Sequence, residues 1–502
     1  MDLTFINFFI FFKSIKIKME QNFKVVDSYG RATIKRVEGK PLTLYEVNVQ
    51  KFPNELISTG VKLIDKDLVK SMAEIRYFTE KDQFLRDELK KRITSEQLVN
   101  PELIEEFISA ILADFYGYGI LEVFMEDDHL EEIMVNGLNM PVFVVHRKHG
   151  MCETNVSFSN ESGIEAVIRR IAMQAGRKVG QTQPLLDARM VDGSRANVAI
   201  PPAAPTGPSI TIRKFRRKPF SATELIKMEA LSAHLAAFLW VCIEGLGIHP
   251  INIVIAGGAG SGKTTTLNAL SAFIPYHERV VTVEDTMELD LKFLSNWVPL
   301  EATPSVLRET ELDMNALVQN SLRMRPDRVI VGEVRGSEAY TLFVAMDIGL
   351  NGSMCTLHAN DARETTVRLM NPPMNVPTGM MPLLNLVVVQ NKVYVKGKGT
   401  IRRITQVSEI TGMQENIAQI GDIYKWDIGE DEIIRTPYPI ILLDEIASAA
   451  GVTRADLNYE IGRRERFLNY LVDKNVVEGK EVRDMIQWYY ENPDFDKTAV
   501  GK

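Results

Sequence analysis

Cysteine is scarce: there are three in 502 residues, Cys152, Cys242 and Cys355, far apart and with no CxxC among them. That excludes a disulfide framework and a four-cysteine zinc site, and it fits a reducing, cytoplasmic setting. Long apolar runs are also missing. The nearest approach, Phe5 to Phe12, is followed by Lys13, Lys16 and Lys18. It is too short to span a bilayer, and charges placed after the run make a poor signal peptide. Two readings stay open: Met19 is the true start and residues 1–18 a mis-called extension, or the segment is a tail that contacts a membrane. Basic charge is not in excess either. A formal net charge of −8 disfavours a protein that coats nucleic acid by neutralising phosphates, so nucleic acid is not the expected partner. Internal repeats and low-complexity tracts are absent.

What remains is the composition of a folded chain, 45% hydrophobic and 25% charged, and its length calls for two or three domains. Residues 1–60 read as a flexible amino-terminal arm, because the stretch from 20 to 60 is polar and punctuated by Gly30, Gly39, Pro41 and Pro53. Residues 61–217 read as an α+β domain. Apolar residues at three and four spacing predict helices between Leu63 and Ile120, then short strands from Leu130 to Val145 and a helix over Gly163–Gly176. Strands at Arg195–Ile200 and Ser209–Phe215 follow, and Arg216 to Pro219 reads as a linker. From 218 to 502 the grammar changes. Short β-rich runs at Ile251–Ala256, Arg279–Glu284, Arg328–Gly332 and Ser353–Leu357 alternate with helical ones. That alternation predicts a mostly parallel sheet covered on both faces. Strand-like Val387–Val395 and Ile404–Ile410 and a helical tail from Ile441 to Tyr490 complete the chain.

The chemistry starts after the first of those strands. Gly257, Gly258, Ala259, Gly260, Ser261, Gly262, Lys263 and Thr264 satisfy GxxxxGK[ST], with a strand before and a helical run, opening on Thr265, after. Glycines let backbone N–H groups close around phosphate oxygens, Lys263 carries charge toward the β and γ phosphates, and Thr264 can ligate Mg2+. ATP with Mg2+ is the expected ligand. Glu284 and Asp285 end the next strand, where a carboxylate sits beside the phosphate crevice of an open α/β sheet. A third strand runs through Val329, Ile330 and Val331 to Gly332 and Glu333. It resembles a Walker B strand with glycine where the magnesium-binding aspartate would stand. Glu284 and Glu333 therefore divide two roles, holding hydrated magnesium and orienting or deprotonating water; the residues alone leave open which does which. His358 lies at the end of the fourth strand and could bond the γ-phosphate or relay its presence to a neighbour.

This set, in this order, resembles the secretion-superfamily ATPases of type II and type IV systems. The family's acidic Asp box matches Val283 to Leu289, its GExRG-type Walker B matches Gly332-Glu333-Val334-Arg335-Gly336, and its His box matches Gly352 to Asn360. Upstream, Asp187 to Arg195 and Ile210 to Phe215 resemble the amino-domain segments that place arginines near nucleotide at a subunit boundary. Arg195 and Arg213, with Arg189 behind them, are the candidates; ordinary surface salt bridging is the alternative for each. Within the superfamily the resemblance is nearest to the archaeal flagellum (archaellum) motor ATPase. It is carried by Asp361 to Thr365, Pro372 to Pro377, Lys398 to Ile404 and Asn475 to Tyr490. The zinc-binding cysteines of bacterial pilus-assembly relatives are missing. The resemblance implies a RecA-like P-loop domain behind an α+β domain, a homo-hexamer, and a cytoplasmic motor peripheral to the membrane. It also implies an integral membrane platform protein and other filament motor components as partners, with anionic lipid as a further contact.

Overall fold

A computed structural model describes residues 23–48, 52–75, 78–215, 219–302, 312–395 and 398–492. The apolar run before Lys13, Met19 and the linker residues 216–218 lie outside the described residues. The chain forms two compact units, Met1–Arg217 and Lys218–Lys502.

The amino-terminal unit contains a nine-stranded sheet. Its strands are β1 (Phe23–Tyr29), β2 (Ala32–Val37), β3 (Thr43–Val47), β4 (Leu130–Val135), β5 (Pro141–His146), β6 (Gly150–Ser157), β7 (Leu185–Arg189), β8 (Arg195–Ala199) and β9 (Ser209–Arg213), in the order β1-β2-β3-β6-β5-β4-β9-β8-β7. All neighbours are antiparallel except β3 and β6. The helix Glu161–Gln174, capped by Asn160 through the Gly163 N–H at 2.9 Å, lays Ile164, Val167, Ile168 and Ile171 into the sheet's core. A second core lies among the helices between Asn54 and Phe115. There Ile104, Phe107, Ile108, Ile111 and Leu112 make one apolar stripe.

The expected loose arm is corrected here: from Phe23 to Val47 it is three strands of this sheet. Ala32, Ile34, Tyr45 and Val47 are buried in alternation, and Gly30 and Gly39, both at positive φ, turn the strands rather than loosen them. The partner that completes β3 is Cys152 to Thr154 of β6, more than a hundred residues away, so no local pattern could reveal it.

The second unit has its own nine-stranded sheet. Its strands are β10 (Ile253–Ala256), β11 (Val280–Glu284), β12 (Trp297–Glu301), β13 (Arg328–Val334), β14 (Met354–Leu357), β15 (Leu386–Val395), β16 (Gly399–Gln414), β17 (Ile417–Asp427) and β18 (Glu432–Arg435), in the order β12-β11-β13-β14-β10-β15-β16-β17-β18. From β12 to β15 every pair is parallel; β15 to β18 are antiparallel. Residues of β10, β11 and β14 are buried throughout, as strands covered on both faces must be. One face packs against Ala233–Glu244 and the tail helices Ile441–Ala450, Arg454–Asp473 and Gly479–Glu491; the other packs against Met314–Ser321, Glu338–Asp347 and Ala362–Met370. Sequence patterning missed β12, β17 and β18, which are short, half-exposed or at the sheet's edges. Among the described residues no single helix is long and apolar enough to cross a membrane.

At the amino end of β13, opposite the phosphate side of the sheet, Arg328 is fully buried. Its Nε and Nη2 donate to Glu278 at 2.5 and 2.7 Å, and it also donates to the carbonyls of Gly352 and Ile243. A Cβ at Gly352 would lie 2.9 Å from the guanidinium carbon, so glycine is what lets the loop close over it. Arg328→Met should lower stability by about 3–5 kcal/mol because Glu278 is left buried and unpaired. A denaturant titration checks this, and adding Glu278→Leu should recover much of the loss.

Candidate nucleotide site

β10 delivers Gly257 at its carboxyl end, and the helix Lys263–Leu270 begins six residues later. Gly260 and Gly262 have φ of 68° and 97°, and Gly262 caps the helix with no side-chain hydrogen bond. The helix therefore opens on backbone N–H groups with no side chain to receive them, an anion-binding end. At Gly257 a Cβ would strike the Gln390 carbonyl and lie 2.5 Å from Ser261 Oγ. The Gly258 carbonyl accepts from Lys263 Nζ at 3.2 Å and from the Ser261 N–H at 3.3 Å. Two donors suited to phosphate are thus turned onto one carbonyl. Ser261 Oγ is buried with no hydrogen-bond partner. Thr264 and Thr265 are half-buried in the first helical turn.

Glu284, at the end of β11, is 2% exposed. Its Oε1 accepts the N–H groups of Glu288 and Leu289 at 2.9 and 3.1 Å, while Oε2 is buried without a partner. Burial pushes its carboxyl up to about 7, against the pull of those two N–H donors. On neighbouring β13, a Cβ at Gly332 would lie 2.8 Å from Glu284 Cγ. This explains the glycine in the Walker B strand: the Glu284 side chain fills the room an aspartate would need. Glu333 stands differently. Its Oε1 is 3.7 Å from Lys263 Nζ, and its Oε2 accepts from Arg335 Nε at 3.0 Å and from Arg335 Nη2. Arg335 in turn lies 3.9 Å from Asp285. Burial lowers the Lys263 ammonium from its ordinary range and Glu333 opposes that.

A carboxyl raised from 4.5 to about 7 binds a proton in the folded state that the unfolded chain has already lost. Stability from this group is greatest below the unfolded value and drains away as pH rises toward 7, by about 3 kcal/mol in all. Glu284→Gln does not titrate. In nucleotide- and metal-free protein, the stability gap between wild type and Glu284→Gln should shift by about that amount, in the variant's favour, between pH 5 and pH 8. Urea midpoints at the two pH values measure it; an unchanged gap would mean Glu284 is ionised throughout.

His358 is exposed just beyond β14. Thr356 beneath it is buried and donates to the Gly332 carbonyl at 2.6 Å, tying β14 to the Walker B strand. Three residues near the loop carried no role in the sequence reading. Gln390 of β15 accepts from Thr266 Oγ1 at 2.7 Å, Arg402 of β16 donates through Nε to the Gly260 carbonyl at 2.9 Å, and Arg335 grips Glu333. Arg335 was visible within the GExRG match and Arg402 within the Lys398 to Ile404 match, neither with a role, while Gln390 lay in no motif; nothing in either segment signals a strand that returns beside the P-loop.

The amino-terminal unit places its three arginines in a row. Arg189 of β7 pairs in register with Arg195 of β8, Arg195 with Arg213 of β9, and Arg213 with Glu132 of β4. All stand on the face opposite the buried Ala188, Ala196 and Ile212. Asp187 lies 3.5 Å from Arg195. Glu132 and Asp187 thus set carboxylates among the like charges of the row.

Residues 116–406, more than half of the chain, match the family model described as type II/IV secretion system protein, and residues 439–497 match one described as PilB3-like, C-terminal. Two relatives from Methanocaldococcus jannaschii are described as uncharacterized proteins. MJ0781 is 48% identical over 239 residues, 47% of this chain and 33% of that one, so the match spans a third of its length. MJ0900 is 33% identical over 399 residues, 78% of this chain and 71% of that one. Among solved structures, the VirB11 ATPase of the Brucella suis type IV secretion system is 25% identical, covering 58% of this chain and 92% of its own, with a TM-score of 0.30. With a parallel-rich sheet, a P-loop at the end of β10 and two glutamates on adjoining strands, the chain belongs to the type II/IV secretion system protein family.

Proposed function

We propose that the protein is a P-loop ATP hydrolase that works as a homo-hexameric motor, coupling hydrolysis to assembly, and in some settings rotation, of the archaellum. The observation that carries the catalytic part is the meeting of Lys263, Glu333 and Arg335 beside a loop whose donors are turned onto the Gly258 carbonyl. Arriving phosphates would replace that carbonyl as acceptor for Lys263 and Ser261. The orphaned Glu284 Oε2, together with Thr264 of the P-loop motif and Glu333 of the Walker B motif, fits magnesium, held directly or through water. Bound there, Mg2+ would neutralise charge on the β and γ phosphates. Glu333 is the base: it is the less buried carboxylate and the one beside the lysine, placed to orient a water and take its proton. Glu284, buried and packed on Gly332, is the metal-side residue. Arg189, Arg195 and Arg213 would supply cationic charge to the transferred phosphoryl group, and His358 would report the γ-phosphate. The motor would sit at the cytoplasmic membrane surface against an integral platform protein, other motor components and anionic lipid.

The family's own description, type II/IV secretion system protein, favours a second reading, an ATPase of a secretion apparatus, with an adhesive pilus as its variant on the same core motifs. Turnover of the purified full chain, with and without anionic vesicles or DNA and with particle mass recorded, tests the motor. Lipid-stimulated turnover by a hexamer supports it; stimulation by DNA alone points to a nucleic-acid translocase. Loss of filaments, of swimming or of a secreted substrate in a strain lacking the protein separates the two readings.

A further inference from the structure

Resting on the nucleotide reading above, we infer that Arg402 is a positioning residue of the nucleotide site: it sets the P-loop from the antiparallel half of the sheet and thereby sets nucleotide affinity. The loop's crest is Gly260 to Gly262, both glycines at positive φ, so the backbone there has little conformational preference of its own. Something outside the loop must choose its conformation. Arg402 Nε donates to the Gly260 carbonyl at 2.9 Å, and its Cδ would lie 3.5 Å from a Cβ at Gly262, so the stem lies against the loop while the head holds it. In a trans peptide the carbonyl and the following N–H point in opposite directions. Drawing the Gly260 carbonyl toward Arg402 therefore turns the Ser261 N–H the other way. There it meets the same Gly258 carbonyl that receives Lys263 Nζ, the place a phosphate oxygen would take.

The anchor is itself held. Successive residues of a strand face opposite sides, and Arg403, next to Arg402, is 3% exposed in a charge cluster on the other face. Its guanidinium donates to both oxygens of Asp431 at 2.9 Å, to Glu229 at 2.8 Å and to the Met228 carbonyl at 2.9 Å. Lys398 joins the same two carboxylates. β16 is thus clamped to the turn between β17 and β18 and to the segment after the helix Ala222–Lys227, and Arg402 extends from a strand that is fixed in place. Beside Arg402, Gln390 of β15 is bonded to Thr266, and its amide nitrogen would lie 3.2 Å from a Cβ at Gly262. The P-loop is gripped from β15 and β16 together.

The test is ADP binding by calorimetry and ATP turnover for full-length wild type, Lys263→Ala, Arg402→Met and Arg402→Lys, with melting temperatures recorded. Arg402→Met keeps the apolar stem against Gly262 and removes the guanidinium. It should weaken ADP binding and raise the KM for ATP about tenfold, with a smaller change in kcat, the pattern of a residue acting through binding. Arg402→Lys, which keeps a cationic donor on a flexible stem, should recover a good part of the affinity. Wild-type affinity in Arg402→Met overturns the inference, and so does an Arg402→Lys variant no better than Arg402→Met, because then packing and not the donor matters. If wild type binds no ADP and matches Lys263→Ala, the nucleotide reading itself has failed and the inference falls with it.

Discussion

Lys263→Ala should reduce ATP turnover at saturating nucleotide by roughly a hundredfold or more, the scale for removing one preorganised charge from a reacting phosphoryl group. The ammonium is buried and shares its attention between the Gly258 carbonyl and Glu333. Alanine would leave Glu333 paired with Arg335 alone and leave the cradle without its cation. The fold should survive, because the loop's remaining braces come from Gln390 and Arg402. A phosphate-release assay beside a melting curve checks both halves: lost turnover with a native-like melt is the expected pair. Near-normal turnover would show that hydrolysis happens elsewhere.

Glu333→Gln should be comparably severe, about a 10²- to 10⁴-fold fall in kcat, the range for loss of a general base. The substitution keeps size and removes charge, so nucleotide should still bind. Binding should even tighten modestly, since Lys263 no longer has a carboxylate 3.7 Å away competing with phosphate. ADP affinity measured beside single-turnover hydrolysis separates these effects. Glu284→Gln makes the informative contrast: a metal-side residue should raise the magnesium requirement, with kcat recovering at high magnesium, whereas a base should not recover. If Glu284→Gln were the dead variant and Glu333→Gln the magnesium-dependent one, the two assignments would be exchanged.

Much of this site was legible because it is contiguous. Gly257 to Thr265 announces a phosphate cradle through its glycines and lysine, and the strand before and helix after it are visible as an apolar run and a helical pattern. The glutamates were visible as carboxylates at strand ends. The glycine at 332 was visible only as an oddity. Its reason lies in the Glu284 side chain on the next strand, which no reading of β13 alone could supply. The division of labour between Glu284 and Glu333 was open for the same cause. Both are strand-end glutamates in sequence, and what separates them is that one is sealed under Glu288 and Leu289 while the other reaches Lys263.

Local order along the chain, then, was enough for the P-loop, the parallel grammar of β10, β11, β13 and β14, and the amphipathic stripe from Ile104 to Leu112. Each of these is a short-range pattern that folding only has to obey. Long-range pairing was needed for the rest. The amino-terminal residues from Phe23 to Val47 became strands because β6 offers β3 an edge. Arg189, Arg195 and Arg213 became one row because β7, β8 and β9 pair in that register. Arg402, 142 residues beyond Gly260, reached the P-loop because β15 lies parallel to β10 and carries β16 beside it. Which distant backbones share hydrogen bonds depends on how the whole chain buries its apolar faces together, and that is a property of the fold and not of any window of residues.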